Sequence, residues 1–187
     1  MKYWMPFLLL VGPLSSASLP RFSLADTAGA AHTDSEWGKA PAVVLYFLTT
    51  DCPISNGYVP EMNHIAQDYQ ARGVRFYGVI ADTDTPPEEV RKHVRDFGYT
   101  FPILIDPRQV LVKFTDATTT PEAALIAPQG NLKYLGRIDN QYESFGKRRP
   151  QATQHDLRDA LDAVLAGKSV AKASAPALGC SINRVNP

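Results

Sequence analysis

Apolar blocks and amphipathic stretches alternate along most of this chain. Residues 42–48, Ala-Val-Val-Leu-Tyr-Phe-Leu, form a continuous apolar run rich in β-branched and aromatic side chains. A run of that length without polar alternation reads as a central strand buried on both faces. In residues 55–72 the apolar positions Val59, Met62, Ala66 and Tyr69 share one helical face, and Gly73 stops the helix. Residues 74–81 repeat the buried-strand pattern. Pro86 and Pro87 then open a helix in which Val90, Val94 and Phe97 form the apolar stripe, closed by Gly98. Residues 101–105 read as a short strand and 108–114 as a short helix. The apolar runs 122–127 and 132–138 flank the turn signal Pro128-Gln129-Gly130-Asn131 and predict a hairpin. A last helix spans 153–165, with Thr153 and Asp156 as its capping box and Leu157, Leu161 and Val164 as its stripe. Before the central strand, Phe22-Ser23-Leu24 and the polar stretch 26–34 predict a small hairpin turning near Gly29.

This order is strand–helix–strand–helix, then hairpin and helix. Early strand–helix–strand units require parallel pairing with a right-handed crossover, and the hairpin adds antiparallel strands. The prediction is an α/β fold with a mixed central sheet flanked by helices, an N-terminal hairpin and an extended Ala/Ser/Pro-rich C-terminal tail.

The first residues follow a different logic. Met1-Lys2 carries a positive charge, residues 4–14 are apolar but broken by prolines and a glycine, and Ser15-Ser16-Ala17 offers small residues. This is the pattern of an export signal cleaved after Ala17, and the run is short for a bilayer core of about 30 Å. An uncleaved signal-anchor is the alternative. No cysteine follows the run, so lipid attachment is not expected. The expected organisation is a signal peptide at 1–17, one domain at 18–167 and a tail at 168–187. The destination is the periplasm or the exterior, with no membrane-spanning segment in the mature chain. The 187 residues carry 19 basic and 19 acidic side chains, so no electrostatic footprint for nucleic acid exists.

Export changes the reading of the two cysteines, Cys52 and Cys180. In an oxidising compartment they can pair, and such a bond either stabilises the fold or serves as a redox couple. Cys52 falls where the central strand hands over to the helix, in Thr49-Thr50-Asp51-Cys52-Pro53-Ile54-Ser55. Unpaired N–H groups at a helix start stabilise a thiolate and make it nucleophilic near neutral pH. Pro53 suits the first turn, where its missing N–H costs nothing. Asp51 opposes ionisation. The plain alternative is a small buried hydrophobe.

The stretch from Tyr46 to Pro53, followed by Tyr58-Val59-Pro60-Glu61-Met62, resembles the redoxin part of the thioredoxin superfamily. With Tyr134-Leu135-Gly136-Arg137-Ile138-Asp139 and Gly179-Cys180-Ser181-Ile182, it resembles more closely the peroxiredoxin-like branch of the alkyl hydroperoxide reductase/thiol-specific antioxidant group. The similarity spans about residues 20–184 and implies a thioredoxin-like fold and thiol-dependent antioxidant chemistry. Peroxiredoxins place a threonine three residues before the cysteine, which Thr49 matches, and a proline earlier, where this chain has Leu45. Where they supply an arginine, this chain has Thr119-Thr120-Pro121-Glu122. Thr120-Pro121 resembles the cis-proline loop of thioredoxins, which packs on the active-site cysteine and receives substrate backbone. Thioredoxins carry Cys-x-x-Cys, whereas the second position here is Ser55.

The resemblance therefore implies Cys52 as nucleophile toward peroxide or a protein disulfide, and Thr49 as its orienting residue. Pro53, Thr120 and Pro121 position substrate, and Cys180 is the resolving thiol. A free tail thiol, an intermolecular bond or a packed cysteine are the other readings of Cys180. A thioredoxin-like thiol reductant is the expected partner; no cofactor and no metal are expected. The contrasting hypothesis is a non-catalytic binding module of the same fold, stapled by a structural Cys52–Cys180 bond. His64 lies well down the helix and reads as a surface residue, and His32, His93 and His155 show no ligand spacing. Lys147-Arg148-Arg149 reads as a solvated loop and Trp37 as packing. Asp82, Asp84, Glu88 and Glu89 read as charge at a helix N-terminus.

Overall fold

Residues 19–82 and 84–185 are described by a computed structural model of the chain. The export signal expected at residues 1–17 lies outside them.

The polar stretch after Phe22 folds as foreseen. β1 (Ser23–Ala25) pairs antiparallel with β2 (Ala31–Thr33), and the turn between them uses Gly29 at φ +89°, a conformation that costs glycine little. The short helix α1 (Asp34–Trp37) follows. The uninterrupted apolar run becomes β3 (Val43–Leu48), buried at every position. Next come α2 (Pro53–Gln70), β4 (Arg75–Ile80), α3 (Pro87–Phe97), β5 (Ile103–Ile105) and α4 (Val110–Thr115). The two-residue strand β6 (Thr119–Thr120) precedes the hairpin of β7 (Glu122–Ala127) and β8 (Asn131–Gly136). A second small hairpin joins β9 (Tyr142–Ser144) to β10 (Lys147–Arg148). Then α5 (Asp156–Leu165) leads into a tail with two short strands, β11 (Ser174–Ala175) and β12 (Cys180–Ser181).

The central sheet has six strands in the order β11-β8-β7-β3-β4-β5. β3, β4 and β5 run parallel, while β7 is antiparallel to both β3 and β8. Because strand side chains alternate, β3 serves two cores. Val44, Tyr46 and Leu48 pack with Met62, Ile65 and Ala66 of α2 and with Leu157 and Leu161 of α5. Val43, Leu45 and Phe47 pack with Trp37, with Leu111 of α4 and with Phe22 and Leu24 of the hairpin.

Four local expectations are revised. α2 begins at Pro53, so the loop cysteine itself occupies the N-cap position. On α3 the buried partner of Val90 is His93, while Phe97 is 41% exposed and lies against the His93 ring at 4.4 Å between centroids. The capping box at α5 does not form: His155 is the N-cap, without a side-chain cap bond. Thr153 instead accepts a hydrogen bond from Asn140, and Asp156 binds Arg137 Nε at 2.8 Å and Lys172 Nζ at 2.7 Å. Finally, Lys147 and Arg148 form a strand rather than a loop, although both stay exposed.

Candidate functional site

The carboxyl end of β3 delivers Thr49 to Cys52 to the start of α2, with Pro53 in the first helical turn. Across from it, β6 runs into Pro121, and the Thr120–Pro121 peptide bond is cis. Glu122 shapes this loop by accepting the Thr118 and Thr119 N–H groups, at 2.8 and 3.3 Å. The loop packs on the thiol: Cys52 Sγ donates to the Thr120 carbonyl oxygen at 3.1 Å.

The tail completes the site. β12 pairs antiparallel with β6, Cys180 opposite Thr120 and Ser181 opposite Thr119. That register brings Cys180 Sγ to 3.0 Å from Cys52 Sγ, with both present as thiols. A disulfide spans about 2.05 Å, so bond formation needs an approach of only about 1 Å. The close passage requires Gly179, because a Cβ there would lie 1.9 Å from the Thr120 carbonyl oxygen.

The tail is fastened on both sides of this crossing. Upstream, Ser174 and Ala175 pair parallel with Leu135 and Gly136 of β8. Downstream, Ile182 N donates to Thr118 O at 2.9 Å. Gln109, fully buried, donates from Nε2 to Asn183 O at 2.8 Å and accepts from Val185 N at 2.9 Å. Arg184 holds Asp116 Oδ1 at 2.8 Å.

The two thiols differ electrostatically. Burial pushes Cys52 upward, but the hydrogen bonds that its thiolate accepts from the Cys180 thiol and from the Ser55 N–H and hydroxyl outweigh it, leaving Cys52 below the ordinary thiol range. Burial, the hydrogen bond to Cys52, the Cys52 charge and Asp51 together push Cys180 up to about 11. Cys52 is therefore the member that ionises first.

Cys52, Pro53, Thr120, Pro121 and Cys180 thus converge in space. Thr49 is also present, but its hydroxyl pairs with that of Thr120 at 3.3 Å. Leu45 is buried in the core of the opposite layer. His64 stands on the surface, its side chain 70% exposed. Among the described residues no cluster of His, Cys, Asp and Glu is arranged to hold a metal ion.

Gln109, Gly179 and Glu122 escaped the sequence reading as site residues. The signal available for Gly179 was its place immediately before Cys180. Gln109 carries none, since its partners in the tail lie more than seventy positions away. Ser55 was noted only as a missing cysteine. Its hydroxyl is fully buried and has no hydrogen-bond partner while Cys52 is a thiol. Asp82 and Asp84, read as helix charge, line a cavity beside Cys180.

Comparison with known proteins agrees with this geometry. Over 119 residues the chain is 30% identical to a thiol-disulfide oxidoreductase ResA of Geobacillus thermodenitrificans, covering 64% of this chain and 67% of that protein. A hypothetical protein of Sinorhizobium meliloti 1021 superposes with a TM-score of 0.77 at 30% identity, over 91% of this chain and 94% of its own. A secreted disulfide oxidoreductase of Mycobacterium tuberculosis, homologous to E. coli DsbE, shares the fold with a TM-score of 0.54 at 19% identity, over 78% of this chain and 95% of its own. Residues 14–152 match the Redoxin family model. With a mixed sheet flanked by helices, a cysteine at the β3–α2 junction and a cis-proline loop against it, the chain has a thioredoxin-like fold and belongs to the Redoxin family, within the thioredoxin superfamily.

Proposed function

We propose that the chain is an exported thiol oxidoreductase in which Cys52 and Cys180 are the redox couple. The carrying observation is the 3.0 Å separation of their sulfurs across the β6–β12 pairing. The Cys52 thiolate attacks a disulfide sulfur, releasing a thiol and leaving a mixed disulfide. Cys180 then attacks Cys52, expels the second half of the substrate and closes the intrachain bond. External thiols reopen it. Peroxide is the second input, in the manner of the peroxiredoxin-like branch: the Cys52 thiolate attacks one peroxide oxygen, the O–O bond breaks, the other oxygen leaves as water or an alcohol, and Cys180 condenses with the resulting sulfenic acid to form the disulfide and release water. Thr120, Pro121 and Pro53 position the substrate, and Thr49 orients it once its bond to Thr120 opens. Disulfide exchange is favoured as the main activity by the named activity of the ResA relative and by Leu45 and the engaged Thr49 hydroxyl.

Export rests on the charged, apolar and small-residue pattern of residues 1–17 and on the secreted character of the Mycobacterium tuberculosis neighbour. Residues 18–167 are then the domain and 168–187 the tail that carries the second thiol. Among the described residues no helix is long and apolar enough to cross a membrane.

The test is rapid-quench mapping of the reduced protein after mixing with glutathione disulfide or hydrogen peroxide. Loss of both thiols, a stalled Cys52 adduct in C180S and no reaction in C52S are expected. Rates no faster than those of free cysteine at equal thiolate concentration would overturn the enzymatic reading. A second reading, a binding module with a static staple, is favoured by one observation: Cys52 is 0% exposed beneath a tail held at both ends. That outcome is a pre-formed bond that resists millimolar thiol.

A further inference from the structure

Gln109 is a fully buried polar side chain in an unfavourable place. Its backbone is left-handed, at φ +52° and ψ +41°, a region that residues with a side chain seldom adopt. It stands at the N-cap of α4 but does not cap the helix. Asp106 does so instead, accepting the Val110 and Leu111 N–H groups at 2.9 and 2.8 Å. Both ends of the Gln109 amide are committed elsewhere. Nε2 donates to Ala81 O, just past β4, at 2.9 Å and to Asn183 O at 2.8 Å. Oε1 accepts from Val185 N at 2.9 Å. One side chain thus holds the tail backbone on both sides of Arg184.

The segment held in this way encloses the thiol. Cys52 has no exposed surface. Thr49 and Asp51 of its loop and Cys180 to Asn183 of the tail wall a common cavity of about 270 Å3, and Cys52 is not part of that wall. A thiolate must reach a disulfide sulfur to attack it, so with the tail in place neither a disulfide nor a peroxide meets Cys52. The fastenings on the two sides of the crossing are unequal. Upstream, β11 is a strand of the central sheet, with Ala175 buried, and Lys172 holds Asp156. Downstream the tail has the Ile182–Thr118 bond, Arg184 on the exposed Asp116 and on Ala117 O, and the two bonds to Gln109. Segments that open locally are those with few buried contacts, which places the hinge upstream of Gly179 and the latch downstream.

Resting on the redox-couple reading above, we infer that residues 179–185 form a latched cover over Cys52 and that Gln109 is its latch. Gln109 is a positioning residue: it acts on the thiol by holding the tail, without touching substrate. Released, the tail swings about the β11 pairing and an oxidant reaches Cys52. Relatched, it returns Cys180 to Cys52 for the second step. The bond from Gln109 to Ala81 O keeps the amide in place while the tail is away, and its buried groups, short of partners in the open state, draw the tail back. One side chain therefore slows the first step and speeds the second.

The experiment follows iodoacetamide labelling of Cys52 in the full chain carrying C180S, alone and combined with Q109A, V185P or I65V. V185P removes the N–H that Gln109 accepts and leaves the core intact; I65V trims the core further down α2 and measures destabilisation alone. Rates are compared at equal thiolate fraction, set by absorbance at 240 nm. Cys52 in C180S should react more slowly than free cysteine, and about tenfold faster once Q109A or V185P is added, with I65V unchanged. Reactivity equal to free cysteine in C180S would overturn the cover. Rates unmoved by both Q109A and V185P, or raised equally by I65V, would overturn the latch. With Cys180 restored, Q109A should form the Cys52 adduct of glutathione faster and close the intrachain bond more slowly; acceleration of both steps would also overturn the latch. Failure of diamide to form any Cys52–Cys180 bond in the wild type would instead defeat the redox-couple reading, while the labelling contrast in C180S stands apart from it.

Discussion

Ser55 sits one helical turn beyond Cys52, and its buried hydroxyl lacks a partner in the thiol state. A buried polar group left unpaired costs about 1–3 kcal/mol, so its retention needs a use. The use is at Cys52: against the upward effect of burial, the Cys180 thiol and the Ser55 N–H and hydroxyl stabilise the thiolate. In S55A the first thiolate absorbance at 240 nm is expected at higher pH than in wild type. Disulfide exchange at neutral pH should slow roughly threefold to tenfold, the loss of one hydrogen bond to a charged acceptor. Thermal stability should stay level or rise by about 1 kcal/mol, since the orphan group is gone. An unmoved titration would show that the hydroxyl does not reach the thiolate. At this scale Cys52 was legible in the sequence, because a thiol between a buried strand and a helix start is a local arrangement. Ser55 was legible only as a departure from Cys-x-x-Cys; its burial depends on packing that no local pattern encodes.

β12 and β6 are each two residues long, yet they decide whether the site exists. Gly179 is the point of closest approach, its Cα backed onto the Thr120 carbonyl. G179A is expected to push the tail away from β6 and separate the two sulfurs. Titration in glutathione redox buffers should show the intrachain disulfide weakened by about tenfold, equivalent to about 30 mV. Overall stability should fall by only about 1–3 kcal/mol, the ordinary cost of an overpacked contact. A wild-type potential in G179A would mean that the tail reaches Cys52 by another route. The longer elements needed no such help. The 42–48 run, the Val59-Met62-Ala66-Tyr69 face and the hairpin around residues 128–131 all appear as read. The failures came at ends and surfaces: Asp156 left the capping role for Arg137 and Lys172, and Phe97 ceded the buried face of α3 to His93.

For the whole molecule, the proposed Cys52–Cys180 bond would close most of the domain into one loop. Restricting an unfolded chain that far is worth about 2–4 kcal/mol. The oxidised protein is expected to exceed the reduced one by that amount in urea denaturation, with the difference absent in C180S; equal midpoints would remove the loop-closure account. Acid sensitivity has a source in Asp156, which ties α5 to Arg137 at the end of β8 and to Lys172 of the tail. Burial raises its carboxyl, but Arg137 and Lys172 more than offset this and hold it below the usual carboxylate range. A depressed folded-state pKa stabilises above the unfolded value, near 3.8, and that contribution is lost as pH falls through the folded value. D156N should therefore cost about 1–2 kcal/mol at neutral pH. Its stability should also fall less steeply than wild type below about pH 4, measured by urea midpoints across that range.

The order of strands and helices, the mixed sheet and the thiol at the β3–α2 junction follow from periodicity, from Pro and Gly punctuation and from one unbroken apolar run. These are short-range properties, written in neighbouring residues. The enclosure of Cys52, the acidic cavity beside Cys180 and the Gln109 clamp join groups separated by tens of residues, and only folding brings them within bonding distance. Hydrogen bonds and sulfur contacts act over about 3 Å, so which partners meet depends on how the tail crosses β6. The sequence placed both thiols in the chain; the crossing put one inside and the other at the surface.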